Sequence, residues 1–187
     1  MPTPTKLFLY ARKSTDSEDR QVYSIDHQLA ELRQLASKKG LEVVAEFTEN
    51  RTAKEPGRPI FNEILARIKK REASGILAWS PDRLARNAVD GGQIIHLVDS
   101  GIITDLHFPT YMFEPNSAGK LMLAVMFGMS KYYTDSLSDG IKRAVRQRIQ
   151  HGYWARPAPL GYQFDHNTRT VVVDPTRAQL IRQTFEF

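Results

Sequence analysis

The sequence predicts an α/β fold, in which a mainly parallel sheet flanked by helices is followed by a long helix and the start of a second domain. Short apolar runs alternate with amphipathic segments of helical length up to residue 108. A long stretch with helical character follows, and the composition changes again after residue 152. Strands that alternate with helices of about a dozen residues require parallel pairing and right-handed crossovers.

The first two strands are predicted within residues 6–47. Residues 6–10 (Lys-Leu-Phe-Leu-Tyr) are a short apolar run of the kind found in buried strands. Ser24 can cap a helix whose apolar residues recur every three or four positions, until Gly40 ends it. Residues 41–47 are the second predicted strand.

The next two strands follow the same alternation. Pro59 can occupy the first position of a helix with an apolar stripe. Residues 76–79 are the third predicted strand, and a helix after Asn87 runs to Gly101. Residues 102–108 are the fourth, so we expect a sheet of four parallel strands.

A single long helix is predicted over residues 118–151, which contain no proline. At 1.5 Å per residue, about 34 residues would extend about 50 Å. Its first half is apolar on nearly all sides and must be covered, most simply by the body of the domain and by a second copy of the chain. The alternative is a helix buried within one larger monomer. Trp79 and the methionines at 122, 126 and 129 are interpreted as core residues.

Three regions follow from these patterns: an α/β domain over 1–116, the long helix over 117–152, and a linker with the start of another domain over 153–187. Residues 153–162 are rich in aromatic residues, proline and glycine, as linkers often are. Beyond them a strand and a helical pattern begin. Because the chain stops inside that helical pattern, we expect it to be part of a longer protein.

Composition and charge restrict the class of protein. Hydrophobic residues make up 41% and charged residues 25%, which excludes disordered and fibrous chains. No apolar run reaches the roughly 18 residues that a membrane span needs, so we expect a cytoplasmic protein. The chain has no cysteine, which excludes disulfides and thiolate metal sites. Residues 142–187 hold eight Lys and Arg against three Asp and Glu, which suggests contact with a polyanion or simply a solubilising surface.

Polar residues suited to a site follow three of the predicted strands. Residues 10–15 (Tyr-Ala-Arg-Lys-Ser-Thr) leave the first strand, and residues 80–87 (Ser-Pro-Asp-Arg-Leu-Ala-Arg-Asn) leave the third. The loop after the second strand ends at Arg58. The carboxyl ends of parallel strands share one edge, where α/β proteins bind ligands. Asp82 and Arg86 are four residues apart, so we expect them on one face of a short helix.

This set of residues suits phosphate chemistry better than metal binding. One carboxylate among several arginines, with no histidine, is a poor cation site. Guanidinium groups match phosphate oxygens bidentately and stay charged. A serine among such cations, here Ser14, can act as a covalent nucleophile. Two alternatives are a non-catalytic DNA-binding and dimerisation module and a nucleotide- or small-ligand-binding α/β protein. The second is disfavoured because no Gly-x-Gly-x-x-Gly turn follows the first strand.

Five motifs in order resemble the serine recombinases, the resolvase/invertase family, and most closely the N-terminal catalytic domain of the large serine recombinases, or serine integrases. The resemblance covers about residue 6 to 187 and implies a resolvase-like fold, with 1–116 as the catalytic domain and 153–187 as the linker and truncated start of a recombinase DNA-binding domain. The motifs are Tyr10-x-Arg12-x-Ser14, Ser24-Ile25-x-x-Gln28, Arg58-Pro59, Asp82-Arg83-Leu84-Ala85-Arg86-Asn87, and the long helix with the segment that follows it.

The resemblance implies site-specific recombination of double-stranded DNA in a prokaryotic, nucleoid-associated setting. Ser14 would cleave a phosphodiester to a 5′-phosphoserine and a free 3′ hydroxyl, with no cofactor, metal or ATP. Homodimers would assemble into a tetramer on DNA for strand exchange. The roles implied are phosphate binding by Arg12, Arg83 and Arg86 with help from Arg58, orientation of an arginine or proton handling by Asp82, and support by Tyr10 and Gln28.

The same resemblance places the basic end of the long helix over the minor groove of DNA. The implied DNA-binding residues are Lys142, Arg143, Arg146, Arg148 and Arg156. Two positions depart from the family's pattern: an arginine common on this helix falls at Gly140, and an acidic residue falls near Tyr133. The contribution of the helix to the catalytic site is therefore left open.

Overall fold

The structure is a computed structural model that describes residues 5–12, 25–49 and 56–186. The chain divides into two compact units, Met1–Thr134 and Asp135–Phe187. The described elements are, in order, β1 (Lys6–Arg12), α1 (Ile25–Lys39), β2 (Glu42–Glu49), α2 (Pro59–Lys69), β3 (Gly75–Ala78), α3 (Pro81–Leu84), α4 (Ala88–Asp99), β4 (Asp105–His107), α5 (Ser117–Gln150), β5 (Tyr162–Asp165), β6 (Thr170–Val173) and α6 (Pro175–Phe185).

The first unit contains the predicted parallel sheet. Its four strands lie in the order β2-β1-β3-β4, and every neighbouring pair is parallel. β1 is central, with Tyr10 opposite Phe47 of β2 on one side and Ala78 of β3 on the other. The predicted α/β class is confirmed.

Alternating side chains of β1 supply two separate cores, as the period of a strand dictates. Leu7 and Leu9 pack with Leu32 and Ala36 of α1 on one face of the sheet. Phe8 and Tyr10 belong to a larger core on the other face, built with residues of α2, α4 and α5. Both faces are covered, which explains why β1 and β3 are apolar almost without alternation.

The long helix α5 packs on the first unit through a few residues of its first half. Leu123 is 1% exposed and Phe127 is 6% exposed. Gly91 of α4 faces the Phe127 ring so closely that a Cβ there would lie 3.2 Å from a ring carbon. Gly91 thus allows α4 and α5 to pack closely against each other.

The prediction that the methionines of α5 are core residues is wrong for two of them. Met122 is 50% exposed and Met129 is 66% exposed, whereas Met126 and Trp79 are partly buried. The reason is geometric, since only the side of α5 that carries Leu123 and Phe127 faces the sheet. Several apolar residues on the other sides of its first half, among them Leu121, Val125 and Tyr132, are exposed.

The predicted strands have different limits in the structure: β1 and β2 each extend two residues further, to Arg12 and Glu49. β3 comprises Gly75–Ala78, and β4 comprises only Asp105–His107 rather than 102–108. The amides of Ile102 and Ile103 both donate to the carbonyl of Leu97, so these apolar residues close the C-terminal turn of α4. Their hydrophobicity reflects burial at that turn and not strand pairing.

In the second unit, a β5–β6 hairpin precedes α6. The strands pair antiparallel, and the Asp174 carboxylate caps α6 by accepting hydrogen bonds from the amides of Thr176 and Arg177. The sequence predicted the β6 strand and the helical pattern but not β5, whose residues Tyr-Gln-Phe-Asp do not form an apolar run. Gly161 is the only buried residue between 135 and 186.

No helix within the described ranges has the length and apolar character needed to cross a membrane.

Substitution of neighbouring residues on α5 tests how the helix packs. We expect Leu123→Ala to lower the free energy of unfolding by about 2–5 kcal/mol, because it removes a fully buried side chain and leaves a cavity. Met122→Ala, at an exposed neighbour, is the matched control and should change it by less than about 0.5 kcal/mol. Urea denaturation of dilute protein measures both, and equal losses would contradict this packing.

Candidate active site

The candidate site lies where β1 and β3 end at one edge of the sheet. Tyr10 and Arg12 occupy the last positions of β1, and α3 begins just after β3. Arg58 immediately precedes α2 and is its N-cap residue. The parallel sheet therefore brings three distant segments to one edge, as the sequence predicts.

Arg58 is the hub of a buried network. Its side chain is 1% exposed, and its Nε and Nη2 atoms donate to Oδ2 of Asp90 at 3.2 and 2.9 Å. Nη1 donates to the Tyr10 hydroxyl at 2.9 Å, and Nη2 also donates to the carbonyl of Leu84. The guanidinium lies 3.9 Å from the centre of the Phe61 ring. Arg58 thus joins β1, α3 and α4 through contacts inside the protein.

Asp90, in the first turn of α4, is the carboxylate partner of Arg58 in this network. Its side chain is 2% exposed, and Oδ2 also accepts a hydrogen bond from Asn87 Nδ2 at 2.8 Å. The Asn87 side-chain oxygen Oδ1 in turn accepts from the backbone amide of Asp90 at 2.9 Å, which caps α4. A buried carboxylate needs both a counter-charge and hydrogen bonds, and Arg58 and Asn87 supply them.

Arg12 is fully buried beside the segment that carries Arg83. Its Nε donates to the Arg83 carbonyl at 3.3 Å, and Gln28 Nε2 donates to the Arg12 carbonyl at 3.1 Å. Burial, followed by repulsion from Arg86 and Arg83, lowers the pKa of Arg12 to about 10. The group stays charged at neutral pH, in a concentrated positive field.

Asp82 is the acidic member of the cluster. Its carboxylate accepts a hydrogen bond from the Ser80 hydroxyl and another from Arg86 Nη2 at 2.8 Å. Burial works to raise the pKa of Asp82, but the Ser80 and Arg86 hydrogen bonds and the charges of Arg83 and Arg86 outweigh it and lower that pKa below its usual value. Asp82 is therefore a carboxylate that orients Arg86.

The short helix differs from the predicted one. α3 ends at Leu84, and Ala85 is extended at φ −145°, so Asp82 and Arg86 are not on one helical face. Arg83 is 4% exposed, while the Arg86 side chain is 11% exposed. The Asp82–Arg86 pair forms because the chain bends after α3.

Tyr10 is buried within the same edge of the sheet. Burial raises the pKa of its hydroxyl to about 12, against the opposing effect of the Arg58 charge. The hydroxyl is thus protonated at physiological pH and accepts the Arg58 hydrogen bond.

The predicted nucleophile, Ser14, lies outside the described residues, as does the predicted cap Ser24. Arg12, two positions before Ser14, is the last residue of β1. Among the described residues, no group of three or more His, Asp or Glu side chains could hold a metal ion.

The five predicted DNA-binding residues all belong to the second unit. They are exposed, as phosphate contacts require, and Lys142 is 3.6 Å from the Asp139 carboxylate. The residues are Lys142, Arg143, Arg146, Arg148 and Arg156.

Comparison with known families identifies the domain. The family model described as the resolvase N-terminal domain matches residues 7–154. The chain belongs to the resolvase family. The match includes the parallel sheet from residue 7 onwards and all of α5.

Individual relatives are distant. The resolvase-family chain is 24% identical over 183 residues to a Bacillus subtilis (strain 168) protein named "Putative DNA recombinase". The alignment covers 96% of the chain but only 35% of that relative, so the chain spans about a third of the relative's length.

The solved structure of an integrase catalytic domain shows the same fold. The N-terminal catalytic domain of TP901-1 integrase is 22% identical, with a TM-score of 0.52, over 71% of this chain and 98% of that one. A resolvase family site-specific recombinase from Streptococcus pneumoniae is 23% identical, with a TM-score of 0.49, over 78% of this chain and 99% of that one.

Three site residues of this resolvase-family domain were missed by the sequence analysis. Ser80 and Asn87 lie in the segment that sequence analysis selected, but neither was singled out, and Asp90 lies beyond it. Asn87 and Asp90 are three residues apart at the start of a helix, which is the spacing of a capping box. That signal could have located Asp90, although its pairing with Arg58 depends on the fold.

Removal of the Asp90 carboxylate tests the buried network. We expect Asp90→Ala to reduce the free energy of unfolding by about 3–5 kcal/mol, because it leaves the Arg58 charge buried without its counter-charge. The control is Glu46→Ala, which breaks the exposed pair with Arg33 at 2.6 Å and should cost much less. Thermal and urea unfolding measure both variants; similar losses would show that Asp90 does not carry the network.

Proposed function

We propose that this chain is the catalytic part of a serine recombinase that cleaves and rejoins duplex DNA through Ser14. The observation that carries the proposal is that Arg12, Arg83 and Arg86 lie together at the end of β1. Arg12 is two positions before Ser14 in the sequence, and the chain is a member of the resolvase family. Arg83 and Arg86 lie near enough to Arg12 to lower its pKa. A bound phosphate would offset the repulsion among these arginines that lowers the Arg12 pKa.

A phosphodiester supplies that anion. Its non-bridging oxygens accept paired hydrogen bonds from guanidinium groups, and the developing negative charge in the transition state is stabilised by the same cations. Because Arg12 and Arg83 are buried, a phosphate reaches them only after a local rearrangement of the chain beside them. Arg86, which Asp82 orients, is the more accessible of the three and makes the first contact.

The covalent step proceeds by in-line exchange at phosphorus. The Ser14 oxygen forms a bond to phosphorus as the bond to the 3′ oxygen breaks. The serine proton passes to water, and the departing 3′ oxygen takes up a proton to become a hydroxyl. One ester replaces another, so the 3′ hydroxyl of an exchanged strand can reverse the reaction without ATP. With arginines to neutralise the phosphate, the step needs no metal ion.

Arg58, Tyr10 and Gln28 support the site in this proposal without contact with DNA. All donor nitrogens of Arg58 bond to groups of the protein, one of them to the Leu84 carbonyl next to Arg83 and Arg86. Arg58 is therefore a positioning residue in this proposal. The resemblance, in contrast, implies that Arg58 helps to bind the phosphate. Gln28 fixes the end of β1 through the Arg12 carbonyl.

Duplex DNA and a second copy of the chain are the proposed partners. The uncovered side of the first half of α5 is a large apolar surface, which in a free monomer would be a liability for aggregation. A matching surface on another copy would cover it, and dimers would pair into a tetramer for strand exchange. Its exposed residues are Leu121, Met122, Val125, Met129, Tyr132 and Tyr133.

The decisive experiment is a search for a covalent adduct. We expect mass spectrometry, after incubation with a library of duplex fragments and nuclease digestion, to find a nucleotide phosphate on the peptide that contains Ser14. Ser14→Ala should abolish the adduct and retain DNA binding, whereas the control Ser17→Ala should retain both. DNA binding without any adduct in the wild-type chain would favour a non-catalytic module.

Removal of one phosphate-binding cation should slow the covalent step. We expect Arg86→Ala to reduce the rate of adduct formation by roughly 10²–10³, the usual effect of losing one charge-stabilising donor. Arg33→Ala removes an exposed arginine on α1 and serves as the matched control, with no expected change. Single-turnover kinetics in EDTA measure both; a near-normal rate for Arg86→Ala would place Arg86 outside the site.

A further inference from the structure

The side chain of Ser80 lies at the candidate site but has no part in the proposed covalent step. Ser80 follows β3 by two positions and is the N-cap residue of α3, with extended backbone at φ −160° and ψ 160°. Pro81 comes next, and a residue before proline is restricted to extended backbone. A buried strand on one side and a proline on the other therefore hold the Ser80 backbone in one conformation.

The Ser80 hydroxyl does not have the usual function of a serine at the start of a helix. An N-cap serine normally accepts a hydrogen bond from a backbone amide of the first turn. Here the Arg83 amide donates to the backbone carbonyl of Ser80 at 3.0 Å, and the hydroxyl makes no capping bond within the described part of the chain. It donates instead to Oδ1 of Asp82. Helix capping therefore does not account for this hydroxyl.

The carboxylate of Asp82 is held at both of its oxygens. Oδ1 accepts from the Ser80 hydroxyl, and Oδ2 accepts from Arg86 Nη2 at 2.8 Å. The torsion that orients an aspartate carboxylate is broad, so one hydrogen bond leaves the plane free to turn, whereas bonds to both oxygens fix it. Ser80 thus sets the direction in which Oδ2 faces Arg86.

The Ser80 hydrogen bond also keeps Asp82 ionised. Burial works to raise the pKa of Asp82, and the bond from Ser80 is the largest of the effects that lower that pKa below its usual value. The charges of Arg83 and Arg86 act in the same direction. α3 packs against β1 and β3, of which β1 brings the Arg12 charge close to Asp82 and β3 has no ionisable residue.

Arg86 depends on this support because its backbone does not provide it. Arg86 comes after α3, where the chain is extended at Ala85, so no helical turn fixes its side chain. A free arginine side chain samples many rotamers. A cation stabilises a transition state best when it is already in position, which here requires an ionised and correctly turned Asp82.

We propose that Ser80 is a positioning residue of the candidate site, whose hydroxyl turns the Asp82 carboxylate so that Arg86 is directed at the DNA phosphate. The proposal rests on the proposed function, in which Arg86 makes the first contact with that phosphate. Ser80 itself does not touch DNA in this proposal and acts only through Asp82 and Arg86.

The first measurement is the single-turnover rate of adduct formation by the whole chain, on duplex fragments that give the adduct with the wild-type chain. We expect Ser80→Ala to reduce this rate by about tenfold at neutral pH, the effect of losing one hydrogen bond to a charged group. Ser80→Thr keeps the hydroxyl and should retain most of the rate. The matched control is Ser100→Ala, which removes a hydroxyl that donates to the His96 carbonyl at the other end of α4 and should change nothing. Unfolding curves verify that all variants fold.

The acid side of the pH–rate profile gives a readout that lost packing would not move. Asp82 directs Arg86 only as a carboxylate, so the rate falls as pH falls through the pKa of Asp82. Without the Ser80 donor that pKa rises, and Ser80→Ala should lose activity at a higher pH than the wild-type chain or Ser100→Ala. NMR titration of the Asp82 carboxyl carbon, without DNA, measures the same shift directly.

A double-mutant cycle tests whether Ser80 acts through Arg86. Two independent residues would have effects on the rate that multiply. If the hydroxyl serves only to direct Arg86, adding Ser80→Ala to Arg86→Ala should leave the rate of the Arg86→Ala variant unchanged.

The outcomes separate this proposal from the proposed function. If the wild-type chain forms the adduct and Ser80→Ala forms it at a near-normal rate, the role of Ser80 is overturned and the proposed function stands. Equal losses in Ser80→Thr and Ser80→Ala, multiplicative effects in the double-mutant cycle, or an unchanged Asp82 pKa in Ser80→Ala also overturn it. If the wild-type chain forms no adduct, the proposed function fails, and the role of Ser80 fails with it.

Discussion

The buried pair between Arg58 and Asp90 is the interaction on which the geometry of the candidate site depends. Two charges removed from water are tolerated only when each is fully hydrogen-bonded. Arg58 achieves this by bonding to β1 through Tyr10, to α4 through Asp90 and to the end of α3 through the Leu84 carbonyl. The requirement to satisfy one guanidinium thus fixes three elements relative to one another. The same constraint helps to fix the positions of Arg83 and Arg86, which flank Leu84 in the sequence.

A second arginine, Arg12, shows the opposite electrostatic situation. Its charge is buried next to other cations, and its pKa is lowered, whereas Arg58 has a carboxylate partner. One part of the sheet edge is therefore neutral and rigid, and the adjoining part is strongly positive. This division separates the residues that shape the site from the residues that we propose bind a phosphate.

Much of this arrangement could be predicted from sequence. The parallel sheet follows from apolar runs that alternate with amphipathic helices, and the meeting of Arg12, Arg58 and Arg83 follows from the rule that parallel strands end at one edge. The pairing of Arg58 with Asp90 could not be predicted, because it depends on how α2 and α4 pack across the sheet. The bend after α3 was missed for the same reason, because the Leu84 carbonyl accepts a tertiary hydrogen bond from Arg58 that the helical spacing does not reveal. The β5 strand was missed because its polar and aromatic residues have no buried face.

The separations in sequence of the contacts at the sheet edge have a biological consequence. Arg12 and Arg83 are 71 residues apart, Tyr10 and Arg58 are 48 apart, and Arg58 and Asp90 are 32 apart. The last of these contacts, between Arg58 and Asp90, cannot form during synthesis until the first turn of α4 has emerged. A nascent or partly unfolded polypeptide that ends before Asp90 therefore carries Arg58 without its buried counter-charge, and the sheet edge acquires its final geometry only once α4 has been added.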